Sequence, residues 1–232
     1  MSFTLGIITA RGGSKGIENK NIAELCGKPL IHYTIEAAQK AKGLSDIILS
    51  TDDPKIVQCA DKAGLSSSSL RPAHLATDTA KSNDVLLYEI ERYENETGQS
   101  IDNIMLLQPT APLRTSDDID AAYAIFKSSE QKTLISCYNA EAYHPQIMYK
   151  KCGETLTPFI EEGKTIIRRQ EMEQVYIRNG AIYLSDVEAF KNTKNLVGET
   201  PLLYEMSREA SINIDTVDDL DLAAYYLKKR QT

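Results

Sequence analysis

The sequence predicts an α/β fold in which a mostly parallel sheet is covered by helices on both faces. Apolar, strand-like segments alternate along the chain with segments whose apolar residues recur at helical spacing. This alternation is typical of parallel sheets, which bind ligands outside the carboxyl ends of their strands. A length of 232 residues suits one domain, so we expect residues 1–232 to form a single domain.

The expected elements follow from apolar periodicity and from helix-start and turn signals. Strands are expected at residues 3–10, 46–51, 103–110 and 133–140. Helices are expected at residues 29–42, 54–63, 82–96 and 115–129. Later in the chain, residues 180–186 and 211–216 have the composition of strands, and residues 217–230 form an amphipathic helix with acids first and bases last.

Residues 141–178 interrupt this alternation and predict an inserted arm. The segment has short alternating pieces with turn signals at Cys152-Gly153 and Glu162-Gly163. A hairpin-bearing excursion fits this pattern better than another strand–helix–strand unit.

Composition disfavours several classes of protein. A formal net charge of −7 argues against nucleic-acid binding, and no apolar stretch approaches the roughly 18 residues that a membrane span needs. The first residues lack the basic region and cleavage site of a signal peptide, so we expect a cytoplasmic protein. Four cysteines without a C-x-x-C pair, and only three histidines, predict neither a disulfide framework nor a zinc site.

The loop after the first strand, ITARGGSKGIENKNI (8–22), is the first candidate site. It is not a P-loop, because the Gly27-Lys28 pair is followed by Pro29 instead of a serine or threonine. It is not a dinucleotide-binding fingerprint, because the helix begins near Pro29 and not directly after the glycines. Its glycines free backbone N–H groups to approach oxygen atoms and its cations supply charge, which suits a triphosphate. A glycine-rich surface turn with solvated lysines is the alternative.

Six motifs together resemble the acylneuraminate cytidylyltransferases (CMP-sialic acid synthetases). They are the opening loop, LSTDD (49–53), LRPAHLATDTAKS (70–82), LLQPTAPLR (106–114), NGAIYL (179–184) and MSREASINIDT (206–216). They occur in the order and at about the spacing of that family, and the resemblance covers essentially the whole chain. It implies a Rossmann-like nucleotidyltransferase fold that transfers CMP from CTP to the anomeric hydroxyl of a nine-carbon 2-keto sugar acid and releases pyrophosphate.

The resemblance also implies which residues bind the substrates. Arg11 and Lys20 are the expected catalytic residues, because charge builds on the phosphates and on the departing pyrophosphate. The expected nucleotide-binding residues are Arg11, Gly12, Gly13, Ser14, Lys15, Lys20, Asn21, Arg71 and Ser82. Gln108 and Arg169 are expected to bind the acceptor, and Asp215 is expected to hold Mg²⁺ as the cofactor.

Considered without the family, several of these residues have structural alternatives. Arg71 is then better interpreted as an arginine at the edge of a turn, and Ser82 as a helix N-cap. For Gln108 the alternative is a side chain that satisfies the backbone of the following turn. Arg114 is expected to be structural, paired with loop carbonyls or a nearby acid.

Three departures from the family pattern concern the metal and the acceptor. Asn213 replaces the first aspartate of a D-x-D pair that ends in Asp215. The family lysine after His144-Pro145 is absent, and Ile177 stands where an arginine is expected, with Arg178 displaced by one position. N-acetylneuraminate is the default acceptor, and legionaminate, pseudaminate and 3-deoxy-manno-octulosonate are the alternatives.

The resemblance implies partners as well as substrates. In the family the arm crosses to the other subunit of a dimer, so we expect a homodimer formed through residues 141–178. CTP and an acidic nine-carbon sugar are the expected small-molecule partners, with neither nucleic acid nor membrane. A protein that kept the fold and binds nucleotides without catalysis is the alternative from a different class, and the change at Asn213 motivates it.

Overall fold

The computed structural model describes residues 2–14, 16–67, 69–140, 143–165 and 168–230, apart from the side chain of Arg169. Its strands are β1 (Thr4–Thr9), β2 (Glu24–Leu25), β3 (Lys28–Pro29), β4 (Asp46–Ser50), β5 (Asn103–Leu106), β6 (Thr133–Asn139), β7 (Tyr149–Cys152), β8 (Thr155–Pro158), β9 (Tyr176–Asp186) and β10 (Leu202–Glu205). Its α-helices are α1 (Leu30–Lys40), α2 (Pro54–Lys62), α3 (Ser82–Thr97), α4 (Ser116–Lys127), α5 (Val187–Thr193) and α6 (Val217–Lys229).

Six of the strands form one sheet in the order β10-β6-β9-β5-β1-β4. β1 pairs in parallel with β4 and β5, and β10 pairs in parallel with β6. β9 runs antiparallel between β5 and β6. The expected mostly parallel sheet is therefore confirmed, and the carboxyl ends of the five parallel strands meet at one edge, called the carboxyl edge below.

Helices cover both faces of the sheet, as the sequence predicts. Apolar residues of α1, α2 and α4 pack on one face, and those of α3 and α5 pack on the other. α6 packs against β2 and the start of α1 through a third cluster that contains Leu25, Leu30 and Ala223. No helix in the described ranges has the length and apolarity needed to cross a lipid bilayer.

The expected strand at residues 211–216 is wrong. A short 3-10 helix, Glu209–Ser211, comes first, and the chain then passes the carboxyl edge, where the Ile214 N–H donates to the carbonyl of Thr110 at 2.8 Å. The hydrogen-bond partner of this segment is thus a loop, and the segment pairs with none of the described strands. The strand that pairs with β6 is instead β10, which the apolar pattern did not single out.

Residues 149–158 form the expected hairpin of the arm. β7 and β8 pair antiparallel, and Gly153 in their turn has a φ of 61°, which glycine adopts at little cost. The second turn signal, Glu162-Gly163, lies in the 3-10 helix Glu161–Lys164 and does not join two of the described strands. A role of this arm in dimerisation stays a prediction.

Candidate active site

A cavity of about 560 Å³ opens at the carboxyl edge and is called the first cavity below. Its walls come from the loop after β1, the segments before α3 and α6, and the loop after β5. The first cavity is lined by eight residues that the sequence predicts in the site: Arg11, Ser14, Lys20, Asn21, Arg71, Ser82, Gln108 and Asp215. Gly12 and Gly13 line an adjoining cavity of about 440 Å³, which Arg11 also borders.

The opening loop is fixed at both ends of its glycine-rich part. Asn21 is buried, and its Nδ2 donates to the carbonyl of Arg11 at 2.9 Å. A Cβ at Gly16 would overlap the carbonyl oxygen of Asp215, so glycine is required where the loop passes the segment before α6. The position of Arg11 in the cavity therefore depends on contacts that lie far apart in the sequence.

Donors of this loop contact carboxylates. Arg11 Nη1 lies 2.5 Å from Asp78 Oδ1, and the Gly12 N–H donates to Asp52 Oδ1 at 3.0 Å. Carboxylate and phosphate oxygens make similar charge-assisted hydrogen bonds with guanidinium and backbone N–H groups. The donors of this loop therefore already hold carboxylate oxygens, and the binding of phosphate oxygens in their place stays a prediction.

Lys20 and Asp215 form the second ion pair of the first cavity. Lys20 Nζ donates to Asp215 Oδ1 at 2.9 Å and to the carbonyl of Ile214 at 2.8 Å. The Asp215 side chain is 74% exposed, so its carboxylate is accessible from the cavity. Among the described residues no group of three or more His, Cys, Asp or Glu side chains could hold a metal ion.

Arg71 is a buried residue whose guanidinium makes structural contacts with the backbone. Its guanidinium donates to the carbonyls of Ser50 at 2.9 Å and Leu75 at 3.3 Å, which ties its segment to the end of β4. Burial lowers the pKa of Arg71, and the negative charges of Asp52 and Glu89 oppose that shift. Its buried Nε has no hydrogen-bond partner among the described residues.

Ser82 is the first residue of α3, and the capping position before it is Lys81. The alternative interpretation of Ser82 as an N-cap is therefore wrong. Ser82 borders the first cavity instead, where the first turn of α3 adds the partial positive charge of a helix N-terminus.

Gln108 and Asn213 converge above Gly180. A Cβ at Gly180 would lie 2.7 Å from Gln108 Oε1 and 3.0 Å from Asn213 Nδ2, and its φ of 74° also favours glycine. Gln108 borders the first cavity, whereas Asn213 borders a second cavity of about 790 Å³. The two amide side chains therefore mark the boundary between the two cavities.

Arg114 is structural, as expected. Its Nη1 donates to the carbonyls of Ala181 at 2.8 Å and Gln108 at 3.3 Å, which ties the loop after β5 to β9. Burial lowers the pKa of Arg114 to about 10, and the nearby charge of Asp118 opposes that shift. The guanidinium therefore stays protonated at neutral pH and fixes the backbone from which Gln108 projects.

The second cavity combines cationic, aromatic and apolar side chains. It lies between the start of β9, the residues before α6 and α6 itself, and Tyr138 and Tyr143 also border it. Both Ile177 and Arg178 border this cavity, so the displacement of the arginine by one position leaves it in the cavity. Arg208 supplies a second guanidinium.

Two of the predicted site residues cannot be placed. Lys15 lies outside the described residues, and so does the side chain of Arg169. Sequence reasoning in turn assigned no role to Asp78 or Arg208, although both belong to motifs of the resemblance. Charge in these motifs was the available signal, but the contacts of Asp78 and Arg208 are made with residues distant in the chain.

The class of protein follows from the fold and the site together with a comparison of the whole chain: a mostly parallel sheet carries a glycine-rich loop and a cavity with cationic side chains at its carboxyl edge. A model of the family described as "Cytidylyltransferase" matches residues 5–230. The chain belongs to this cytidylyltransferase family.

Two curated relatives have comparable identity but different lengths. The chain is 31% identical over 226 residues to the N-acylneuraminate cytidylyltransferase of Escherichia coli O18:K1:H7, which covers 97% of this chain and 52% of that protein. It is 31% identical over 224 residues to the pseudaminic acid cytidylyltransferase of Campylobacter jejuni serotype O:2, which covers 97% of this chain and 96% of that protein. The chain therefore spans about half the length of the first relative and nearly all of the second.

A solved structure confirms the fold. The structure of CMP:2-keto-3-deoxy-manno-octonic acid synthetase complexed with CTP superimposes with a TM-score of 0.73 at 18% identity. The match covers 99% of this chain and 100% of that chain.

Proposed function

We propose that this chain transfers CMP from CTP to the anomeric hydroxyl of a nonulosonic acid and releases pyrophosphate. One observation carries the proposal: in a member of the cytidylyltransferase family, Arg11, Lys20, Gln108 and Asp215 border one cavity at the carboxyl edge. Because CTP is a cytosolic nucleotide, we also propose that the protein acts in the cytoplasm.

Arg11 and Lys20 are the proposed catalytic residues. Attack on the α-phosphorus moves charge onto the non-bridging oxygens and the departing pyrophosphate, so fixed donors there lower the barrier. In the structure these cations bind Asp78 and Asp215, and phosphate oxygens would exchange with those carboxylates. Backbone N–H groups of Gly12 and Gly13 and the side chains of Ser14, Lys15 and Asn21 complete the proposed phosphate-binding set, and Arg71 and Ser82 contact the cytidine.

Gln108 is proposed to orient the acceptor. It lies at the boundary of the two cavities, so its amide can reach a sugar hydroxyl while CTP occupies the first cavity. Arg169 of the arm is proposed to contact the acceptor as well. N-acetylneuraminate is the default acceptor, with legionaminate, pseudaminate and 3-deoxy-manno-octulosonate as alternatives.

Mg²⁺ is the proposed cofactor, and Asp215 is its proposed ligand. The residues present fit this ion, because Mg²⁺ needs one or two carboxylates besides phosphate oxygens and water, and the Asp215 carboxylate is accessible from the first cavity. When bound, Mg²⁺ neutralises charge on the phosphates.

Asp215→Asn should raise the Mg²⁺ concentration that gives the half-maximal rate about 10-fold or more. Asp218→Asn, three positions further along the chain, should leave that concentration unchanged. Equal responses of the two variants would remove Asp215 as the ligand.

Pyrophosphate release tests the function. Purified protein with CTP and Mg²⁺ should release pyrophosphate when a nonulosonic acid is added, and the panel would contain the four acceptors named above. If pyrophosphate is released only with 3-deoxy-manno-octulosonate, the acceptor is an eight-carbon acid and not a nonulosonic acid. No release with any acid, together with intact CTP binding, would instead support a non-catalytic nucleotide-binding protein, the alternative that the change at Asn213 favours.

A further inference from the structure

Two guanidinium groups in the second cavity lack a carboxylate partner. Within the described part of the chain, neither Arg178 nor Arg208 has a carboxylate within ion-pair distance. This differs from Arg11 and Lys20 in the first cavity, which are both paired. In a chain with a formal net charge of −7, two cations without acidic partners in one cavity indicate a site for an anion.

The two acids that border the second cavity are engaged elsewhere. Glu209 lies 3.7 Å from the ammonium of Lys229. The Asp219 carboxylate accepts hydrogen bonds from the backbone N–H and the hydroxyl of Thr216, both at 2.8 Å. Neither carboxylate therefore forms an ion pair with the arginines, whose N–H donors remain available to an anion.

Arg208 is held in place by an aromatic ring. Its guanidinium lies 5.3 Å from the centroid of the Tyr143 ring, and its Nη2 donates to the Tyr143 hydroxyl at 3.2 Å. A guanidinium that uses one nitrogen for this contact retains its other N–H donors, which match the geometry of a carboxylate.

The second cavity is placed to serve the transfer reaction. Arg178 lies two residues before Gly180, above which Gln108 and Asn213 converge from the two cavities. In the cyclic form of a 2-keto sugar acid, the carboxylate and the reacting hydroxyl are attached to the same carbon. A carboxylate beside Arg178 therefore keeps the hydroxyl close to this boundary and to the nucleotide.

We propose that Arg178 and Arg208 together bind the carboxylate of the acceptor in the second cavity, with Tyr143 positioning Arg208. The inference rests on the proposed function and extends it, because it assigns the acceptor carboxylate to residues outside the arm's Arg169. The apolar side chains of Ile212 and Leu222 border the same cavity and face the remainder of the sugar.

The test compares the acid and the nucleotide as substrates of single variants. Arg208→Met and Arg178→Met should each raise the KM for the acid about 10- to 100-fold, the effect of losing a charge-assisted hydrogen bond, while the KM for CTP changes less than about twofold. Arg208→Lys should recover part of the loss. Lys62→Met, which removes one positive charge at the far end of α2, is the control and should leave both KM values unchanged.

A binding measurement separates a charge effect from a structural one. In calorimetry without CTP, the wild-type protein should bind N-acetylneuraminate more tightly than its uncharged methyl ester, and Arg208→Met should reduce that ratio about 10-fold. If the acid KM and this ratio are unchanged in both arginine variants but altered in Arg169→Met, the arm binds the carboxylate and the inference is wrong. That outcome leaves the proposed function intact, which only the absence of pyrophosphate release in the wild-type protein would overturn.

Discussion

Arg11 and Asp78 form an ion pair whose value for folding is small. The side chains are 35% and 44% exposed, and exposed ion pairs contribute about 0–1 kcal/mol. The same guanidinium borders the cavity proposed for the triphosphate. A substitution of Arg11 should therefore separate catalysis from stability.

Arg11→Ala is expected to reduce kcat about 100- to 1000-fold, the usual effect of removing one fixed donor to developing charge. Its free energy of unfolding should fall by less than about 1 kcal/mol. Lys28→Ala is the matched control. Lys28, a residue of β3, forms an ion pair of similar exposure with Glu36 and does not border the first cavity. A normal rate in Arg11→Ala, measured by pyrophosphate release beside chemical denaturation, would remove Arg11 from the site.

The cations of the site could be predicted from the sequence, but their partners could not. Glycines and cations that follow a first strand are local signals, and they correctly indicated that Arg11 and Lys20 border one cavity. Asp78 and Asp215 are 67 and 195 residues away from these cations. Such contacts arise only when loops from different strands meet at the carboxyl edge.

At the scale of the element, two helices start in the same way but lie in different surroundings. α4 and α6 both begin with a capping box, formed by Thr115 with Asp118 and by Thr216 with Asp219. Only α6 borders the second cavity. The two boxes therefore provide a matched pair that distinguishes helix stability from site geometry.

Thr216→Ala and Thr115→Ala should each lower the free energy of unfolding by about 1 kcal/mol. Only Thr216→Ala should also raise the KM for the acid, since it loosens the wall that α6 contributes to the second cavity. Denaturation curves and acid titrations of both variants check this. Equal KM values in the two variants would show that the start of α6 does not shape the acceptor site.

The capping box of α6 should also depend on pH. Partial burial raises the pKa of Asp219, but hydrogen bonds from Thr216 and Asp215 outweigh it and hold that pKa below its ordinary value. A carboxyl group with a lowered pKa stabilises the fold at neutral pH and loses this contribution as the pH falls through the folded-state pKa. The stability difference between the wild-type protein and Thr216→Ala should therefore shrink in acid.

Helices with a clear apolar periodicity could be predicted from the sequence, whereas strands that depend on pairing with another strand could not. The expected helices at residues 29–42, 54–63 and 217–230 correspond to α1, α2 and α6 within two residues at each end, because apolar spacing and caps are local properties. Residues 211–216 alternate like a strand, yet Ile212 and Ile214 pack into the cluster under α6 instead of a sheet. Alternation alone does not supply a neighbouring strand.

At the scale of the whole molecule, the arm is the part whose apolar side chains remain most exposed in one copy of the chain. The hairpin of β7 and β8 is exposed along almost its whole length, and an isolated two-stranded hairpin is at best marginally stable in water. Apart from Tyr143, which borders the second cavity, the exposed apolar side chains of the arm are Ile147, Met148, Tyr149, Leu156 and Phe159. We propose that the arm of a second copy covers them in a homodimer, since burial of apolar surface drives such association.

Leu156→Asp is expected to convert the dimer to a monomer, because Leu156 is the most exposed of these side chains at 65% and a buried unpaired charge would oppose association. Ser100→Asp is the control, since Ser100 is an exposed residue before β5 and lies outside the arm. Sedimentation equilibrium measures the mass, and calorimetry should show unchanged CTP binding in both variants.

If the arm brings Arg169 to the acceptor that is bound by the partner subunit, the monomer should also show a raised KM for the acid. A wild-type chain that sediments as a monomer would leave the arm without a second copy and would restrict acceptor binding to the residues of one subunit.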